Sequence, residues 1–429
     1  LTARDGRTLA LASLGGALEF YDFIIYVFFA AVIGRLFFPP DMSEWLEQLQ
    51  VFGIFAAGYL ARPLGGIVMA HFGDKVGRKR MFTLSVFLMA VPTLLIGLLP
   101  TYATIGAAAP VLLLVMRVLQ GAAIGGEAPG AWVFVAEHVP NNRVGLACGL
   151  LTGGLTGGIL LGSLMATAIN ALYTPAEIAE WAWRIPFLVG GAFGLLAMWL
   201  RRWLHETPVF ERMRARRAAR TELPLRAVLR DHGRAVAVSM LLTWLLTAAV
   251  VVVILMTPTL MQRLHGLPPL TTLIGSIAAT LGLTVSAMAV GALLDRVGAV
   301  PVAVAGGAAL VASTYALFLG TAADPDNMVA LYALAGTCAG MITVVPFVMV
   351  RTFPDGVRFS GVSFSYNMSY AIFGGITPVA VSLMLGWDRL GPAHYVALAT
   401  AVGAAAAVFG AARRSAPSAA PLSHSAETG

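Results

Sequence analysis

Along this chain, apolar residues come in long unbroken runs, and charges gather at the short polar breaks between them. A helix crossing hydrocarbon needs about 20 consecutive apolar residues at ~1.5 Å each, because an unpaired backbone group is too costly away from water. Runs of that length fall at 10–38, 48–71, 81–99, 107–137, 144–172, 183–204, 234–262, 271–294, 299–321, 327–353, 358–386 and 392–412. The pattern predicts an all-α membrane protein with twelve spanning helices, spans 1 to 12. Span 1 is too long for the apolar core of a signal peptide and no A-x-A cleavage pattern follows it, so it is expected to be retained. Residues 413–429 are mostly Ser, Ala and Pro after two arginines, with little to bury, and are expected to form a disordered cytoplasmic tail.

Composition agrees with the pattern. Of 429 residues, 58% are hydrophobic and only 11% charged, too few charges to wet a soluble surface of this size. The two cysteines, Cys148 and Cys338, exclude a disulfide framework and a four-cysteine zinc site. The two lysines, Lys75 and Lys79, do not follow glycine, so no G-x-x-x-x-G-K phosphate loop exists and energy from ATP bound within this chain is not expected. No G-x-S-x-G nucleophile motif occurs, and His71, His138, His205, His232, His265, His394 and His424 fall at helix ends, in loops or in the tail. No enzyme, cofactor or metal is expected. Trp45, Trp181, Trp183, Trp199, Trp203 and Trp387 cluster near the expected membrane faces, as interfacial anchors do.

Charge sets the orientation. Arg4, Arg7, Lys75, Arg78, Lys79, Arg80 and Arg143 lie on one side, with the Arg-rich stretch from Arg201 to Arg234 and with Arg296, Arg351, Arg358, Arg413 and Arg414. The opposite loops hold Arg35, Arg184, Arg263 and Arg389 against Asp41, Glu44, Glu47, Glu177, Glu180, Asp324, Asp326 and Asp388. By the positive-inside rule both termini are cytoplasmic. The net charge of +7 is thus an orientation signal, and nucleic acid is not an expected partner. The Arg-rich stretch divides the chain into a six-helix bundle at 1–204, a cytoplasmic linker at 205–233 and a second bundle at 234–412. A repeat supports the division: Gly73-Asp74-Lys75-Val76-Gly77-Arg78 follows span 2, and Asp295-Arg296-Val297-Gly298 follows span 8. Paired halves with matching signatures are how many secondary transporters are built, with a site between them near the midplane.

An ionisable group inside hydrocarbon costs at least ~2.5–3.5 kcal/mol, so one that persists is a functional candidate. The first half holds Glu19 and Asp22 in span 1, Arg62 in span 2, and Arg117 and Glu127 in span 4, whereas none lies deep in spans 7, 8, 10 or 11. Glu19 and Asp22 share a helix face about 60° wide, and two carboxylates that close in a dry cavity suit a proton site. Gln120 and Glu127 align seven apart on span 4. Arg117, about 60° away, is the natural partner of Asp22 or of an anionic substrate; its bland reading is a static tie between spans 1 and 4. Gly121, Gly125 and Gly126 let a neighbouring helix or a substrate approach the backbone. Beside Arg62, Pro63 frees a carbonyl, and an anion could use that charged, broken segment. In span 11, Ser363, Tyr366, Asn367 and Tyr370 form a polar stripe at i, i+3, i+4, i+7 that could hydrogen-bond substrate oxygens or neighbouring helices. Tyr21, Tyr26, Tyr366 and Tyr370 could instead cage a quaternary ammonium.

The two-half plan, Gly73-Asp74-Lys75-Val76-Gly77-Arg78-Lys79 and its echo at Asp295 resemble the major facilitator superfamily. Within it, several stretches are similar to the metabolite:proton symporter branch, carriers of citrate, 2-oxoglutarate, shikimate, and proline or betaine. These are Glu19-Phe20-Tyr21-Asp22-Phe23, Arg62-Pro63-Leu64-Gly65-Gly66, Arg117 through Glu127, Trp183-Arg184-Ile185-Pro186-Phe187, Glu206-Thr207-Pro208, Phe353 through Arg358, and Phe373-Gly374-Gly375-Ile376-Thr377-Pro378. The resemblance covers about residues 13 to 412. It implies alternating access driven by the proton gradient, a coupling role for Arg117, and a cytoplasmic gate. In the gate Asp74, Arg78 and Glu137 lock the outward-open state, with Gly73, Asp295, Arg296 and Arg358 in the same motifs. Two departures stand out: Ala70 where the first motif usually begins with Gly, and Arg351 where the branch commonly has an acid.

The expected function is proton-coupled import of a small organic acid, such as a di- or tricarboxylate, by a monomer in a bacterial inner membrane. A carboxylate crossing lipid needs a fixed cation, and Arg62 and Arg117 supply two. The alternative is a carrier of a zwitterion such as proline or betaine. A drug exporter is disfavoured because Gly149 to Gly162 contains no proline where exporters of the superfamily carry G-P-x-x-G-G, and a membrane sensor because no sizeable output domain exists.

Overall fold

The computed structural model describes residues 3–76, 78–125, 127–201, 224–354 and 356–412. The side chains of Glu19, Gly73, Asp74, Arg78 and Glu127, most of the 205–233 linker and the 413–429 tail lie outside what is described. The apolar runs became helices: α1 (Ala3–Phe28, resuming as Ala30–Phe37), α2 (Glu44–Val76), α3 (Arg78–Leu98), α4 (Ala108–Gly125, then Glu127–His138), α5 (Val144–Leu172) and α6 (Arg184–Arg201). After the linker come α7 (Gly233–His265), α8 (Pro269–Val297), α9 (Ala299–Ala323), α10 (Met328–Ala339, tightening and resuming as Val344–Thr352), α11 (Arg358–Leu385) and α12 (Gly391–Ala412). Of the linker, Pro224–Asp231 is a short helix.

Among the described residues nine helices are long and apolar enough to cross a membrane, or ten if the bent pair Pro175–Ala182 and Arg184–Trp199 is one span. A long span sheds water from its backbone only by bonding it internally, which fixes the class but not the straightness. Wide π turns interrupt α7 at Ala249–Met256 and α11 at Tyr370–Gly374. Pro63 does not break its helix: α2 runs on from Glu44 to Val76, so the expected broken segment is an intact helix that lacks one backbone donor.

Helices pack in a repeating scheme. In the first six, α1 lies on α5, α2 on α4 and α3 on α6; in the last six, α7 lies on α11, α8 on α10 and α9 on α12. Small residues make the α2–α4 contact close. Gly121 faces the backbone of Gly58, and Gly125 faces the Arg62 carbonyl and Gly66 with no room for a Cβ. The glycines of α4 therefore admit a neighbouring helix, the first of the two uses expected for them. The two groups meet along α5–α8 and α2–α11. Ser163 and Ser276 share a hydrogen bond of 3.2 Å across the α5–α8 seam, and Thr156 and Thr284 one of 3.1 Å.

Candidate functional site

Two buried polar centres emerge. The first lies inside the first six helices. Asp22 of α1 is 1% exposed, and among the described residues neither carboxylate oxygen meets a hydrogen-bond donor. It faces α6 and α3: a Cβ on Gly190 would sit 2.6 Å from Asp22 Oδ1 and 2.9 Å from Thr93 Cγ2, and one on Gly194 3.3 Å from Asp22 Oδ2. Glycine at both positions makes the space the carboxyl occupies. Thr93 accepts a hydrogen bond from Gln120 Nε2 at 2.7 Å and donates to the Met89 carbonyl at 2.9 Å. Gln120 Oε1 in turn accepts from Arg117 Nη1 at 2.8 Å. A polar trail thus leads from beside Asp22 through Thr93 and Gln120 to Arg117.

Arg117 is 0% exposed and does not bond to Asp22. Its Nη1 donates to the Phe23 carbonyl at 3.2 Å, and its guanidinium carbon lies 4.5 Å from the Phe23 ring centre and 4.4 Å from that of Tyr26. Those contacts fasten α4 to α1. Tyr26 donates to the Val51 carbonyl at 3.2 Å, while Tyr21 donates to the Pro186 carbonyl at 2.9 Å and packs edge-on against Phe193. Tyr21 and Tyr26 each spend their hydroxyl on a backbone carbonyl of the first six helices, whereas Tyr366 and Tyr370 flank Arg62.

The second centre straddles the α2–α11 seam. Arg62, 2% exposed, is ringed by aromatic residues: its guanidinium carbon is 4.4 Å from the Tyr370 ring centre, 5.2 Å from Tyr366 and 5.5 Å from Tyr59. Tyr59 and Tyr370 stack at 5.6 Å across the seam. Such contacts are worth ~2 kcal/mol or more when desolvated, which offsets part of the cost of burying the cation. Arg62 Nε and Nη2 nevertheless have no acceptor among the described residues. One turn further along α2, Asn367 Nδ2 donates to the carbonyls of Gly125 (2.5 Å) and Ser363 (2.9 Å), with Ser363 Oγ at 3.3 Å. Trp132 of α4 lies edge-on to Tyr366 at 5.0 Å, its indole N–H buried and without an acceptor among the described residues.

A third set of contacts joins the groups at the Arg-rich end. Glu137 pairs with Arg358 at 3.6 Å. Asp295 of α8 caps the N-terminus of α5, accepting from Gly145 N at 2.6 Å and Leu146 N at 2.8 Å, where the helix dipole favours an anion. Arg351 donates from Nη2 to the Asn141 carbonyl at 2.6 Å, and Arg296 is exposed. With Arg351 in place of an acid, the second repeat still reaches across, through backbone groups.

Sequence reasoning missed Tyr59, Thr93, Trp132 and Gly190. Tyr59 had a signal, standing three residues before Arg62 and so on its face. Thr93 and Gly190 had none, since only packing brings α3 and α6 to Asp22.

A bundle of long apolar helices with buried, aromatic-flanked charges at a seam between two six-helix groups defines a multi-pass membrane transporter. The description of the Major Facilitator Superfamily matches residues 12–378, and the chain belongs to that family. It is 32% identical over 417 residues to the citrate-proton symporter of Klebsiella pneumoniae, covering 95% of this chain and 92% of the relative. It is equally 32% identical over 415 residues to the ectoine/proline transporter ProP of Corynebacterium glutamicum, covering 92% and 82%. Among solved structures it resembles the proton:xylose symporter XylE, with a TM-score of 0.75 over 94% of each chain at 17% identity, a likeness of fold.

Proposed function

We propose that the chain imports a small carboxylate-bearing solute together with protons by alternating access. It would do so as a monomer in a bacterial plasma membrane with both termini cytoplasmic, its two bundles joined by the Arg-rich linker. The observation that carries this reading is the free edge of Arg62. Nε and Nη2 lie on one side of the planar guanidinium, the fork that meets both oxygens of a carboxylate, and both are buried without an acceptor among the described residues. The aromatic rings around the guanidinium carbon hold that fork in place. A carboxylate docked at Arg62 touches α2 and α11 at once, and so senses whether the seam is closed.

Asp22 is the group that takes and gives up the proton, with Glu19 and Glu127 as further carboxylates of the same bundle. The Thr93–Gln120–Arg117 trail links Asp22 to the seam, because Arg117 Nη2 lies 3.7 Å from where a Cβ on Gly58 would sit, one turn from Arg62. Glu137–Arg358, Asp295 and Arg351 close the cytoplasmic end when the site faces outward.

Two cargo classes fit: a di- or tricarboxylate, as the citrate relative's name has it, and a zwitterion, as the ectoine/proline relative's name has it. Both bring the carboxylate that Arg62 requires. The test is uptake into proteoliposomes of labelled citrate and proline under an imposed inward proton gradient. Accumulation above equilibrium that a protonophore abolishes is expected. Uptake indifferent to the gradient ends the symport reading.

A further inference from the structure

We infer that the groove where the linker helix Pro224–Asp231 meets α7 holds the phosphate headgroup of an anionic phospholipid, from the leaflet at the Arg-rich end. The site involves neither Arg62 nor Asp22. The groove has a volume of about 660 Å³, and its described lining is Arg230, Asp231, His232, Gly233, Arg234 and Ala235. Small-molecule sites run to ~300–1,000 Å³, so a glycerophosphate group fits. Space is open beside Gly233, where an added Cβ would meet no heavy atom within 4 Å. Arg230 and Arg234 are both exposed, on either side of the break at His232. Arginine meets phosphate through two parallel N–H bonds. Asp231 already draws such a fork from Arg230, with Nε to Oδ1 and Nη2 to Oδ2 both at 2.9 Å. That pair is solvent-exposed, so a phosphate can take the place of the carboxylate at little cost.

The linker helix is built for a membrane surface. Leu225, Val228 and Leu229 share one face at i, i+3, i+4. Val228 is fully buried where the helix packs on α7 and on the first stretch of α11, whereas Leu229 is 50% exposed. Arg226 and Arg230, also four apart and both exposed, lie on the side of the helix next to Leu229. An open leucine beside two arginines suits a helix lying at the boundary of headgroups and hydrocarbon. Depth agrees, since the apolar run of α7 follows Arg234 directly. Arg216, Arg217, Arg220, Arg226, Arg230 and Arg234 all precede that run, and a basic cluster of this size next to a span attracts anionic lipid. A free phosphate would meet the arginines but leave Leu229 in water.

The experiment is thermal melting of the full-length protein in neutral detergent, titrated with dioleoylphosphatidylglycerol, dioleoylphosphatidylcholine or inorganic phosphate. Phosphatidylglycerol should raise the melting temperature saturably, and the other two should not. Half-saturation should rise about fivefold in Arg230→Gln or Arg234→Gln and about twenty-five-fold in the double variant. It should change by less than about twofold in Arg143→Gln, an exposed arginine at the same end and outside the groove. Asp231→Asn, which frees the Arg230 fork, should lower it. Phosphatidylcholine matching phosphatidylglycerol, or Arg143→Gln weakening binding as much as the double variant, overturns the site. Weaker binding in Asp231→Asn does the same, and an equal rise with inorganic phosphate overturns the lipid as its occupant. If the double variant does not fold, the wild-type titrations and Asp231→Asn decide.

Discussion

Arg62 and Asp22 are both buried to within 2% of full enclosure, yet they sit in opposite kinds of place. Arg62 lies where two groups of helices meet, its neighbours Tyr366 and Tyr370 belonging to the other group. Asp22 lies among α1, α3 and α6, against Gly190 and Gly194. A charge on the seam can feel cargo and closure directly. A charge inside one bundle can feel them only through a chain of groups leading toward the seam, here Thr93, Gln120 and Arg117. Under the proposed function, the difference separates cargo binding from proton handling in space, and makes the two separately breakable.

The largest expected effect breaks the interior side of this contrast. Asp22→Asn should lower gradient-driven accumulation by roughly two orders of magnitude, while counterflow of cargo persists. Gradient-driven accumulation retained in that variant would move the proton site elsewhere. Arg117→Lys should fail to rescue, losing about tenfold or more in uptake, since the planar guanidinium, whose Nη1 serves both the Phe23 carbonyl and Gln120 and whose face lies against Phe23 and Tyr26, is gone; wild-type uptake would reduce Arg117 to scaffolding. Gly190→Ala puts a methyl against Asp22 Oδ1. Overpacking of that kind costs about 1–3 kcal/mol, and thermal melting in detergent should register it together with weaker proton coupling.

Thr93→Val sharpens the comparison, since it removes the acceptor for Gln120 and nothing at the seam. A loss of about three- to tenfold in proton dependence, with unchanged cargo counterflow, is expected from one buried hydrogen bond. Altered cargo affinity would show that the two centres are not separate. Smallest of all is Asp388→Asn, in the turn before α12. The Leu390 N–H and then His394 hold the Asp388 carboxyl below its ordinary value. Its contribution is therefore present above the ordinary carboxylate pKa and fades as pH falls through the depressed one. The pair is half-exposed, so melting should shift by about 1 °C or less.

Much of the scaffold was legible in the hydrophobic runs. Val144–Leu172 begins and ends where the apolar run predicted, and α9, α11 and α12 differ from theirs by a residue or two at an end. Water exclusion leaves the backbone one solution over such a length, so local sequence suffices. The buried charges were legible for the same reason, as exceptions to a uniform pattern. Their partners were not. Pairing Asp22 with Arg117, or Tyr21 with Tyr366, assumed contacts that depend on which way each helix is rotated, and rotation is set by neighbours distant in sequence.

Sequence alone determined that this chain spans a membrane repeatedly, that the ionisable groups deep in its spans lie in the first six helices, and which residues are costly enough to be candidates for a use. Each is a property of single residues against a solvent that penalises them one at a time. Tertiary structure decided that Gly121 and Gly125 seat α2, that three tyrosines from two helices surround Arg62, and that the Asn367 amide is turned to leave only an acceptor. Those depend on distances between atoms far apart in the chain, which close packing fixes and no local pattern records.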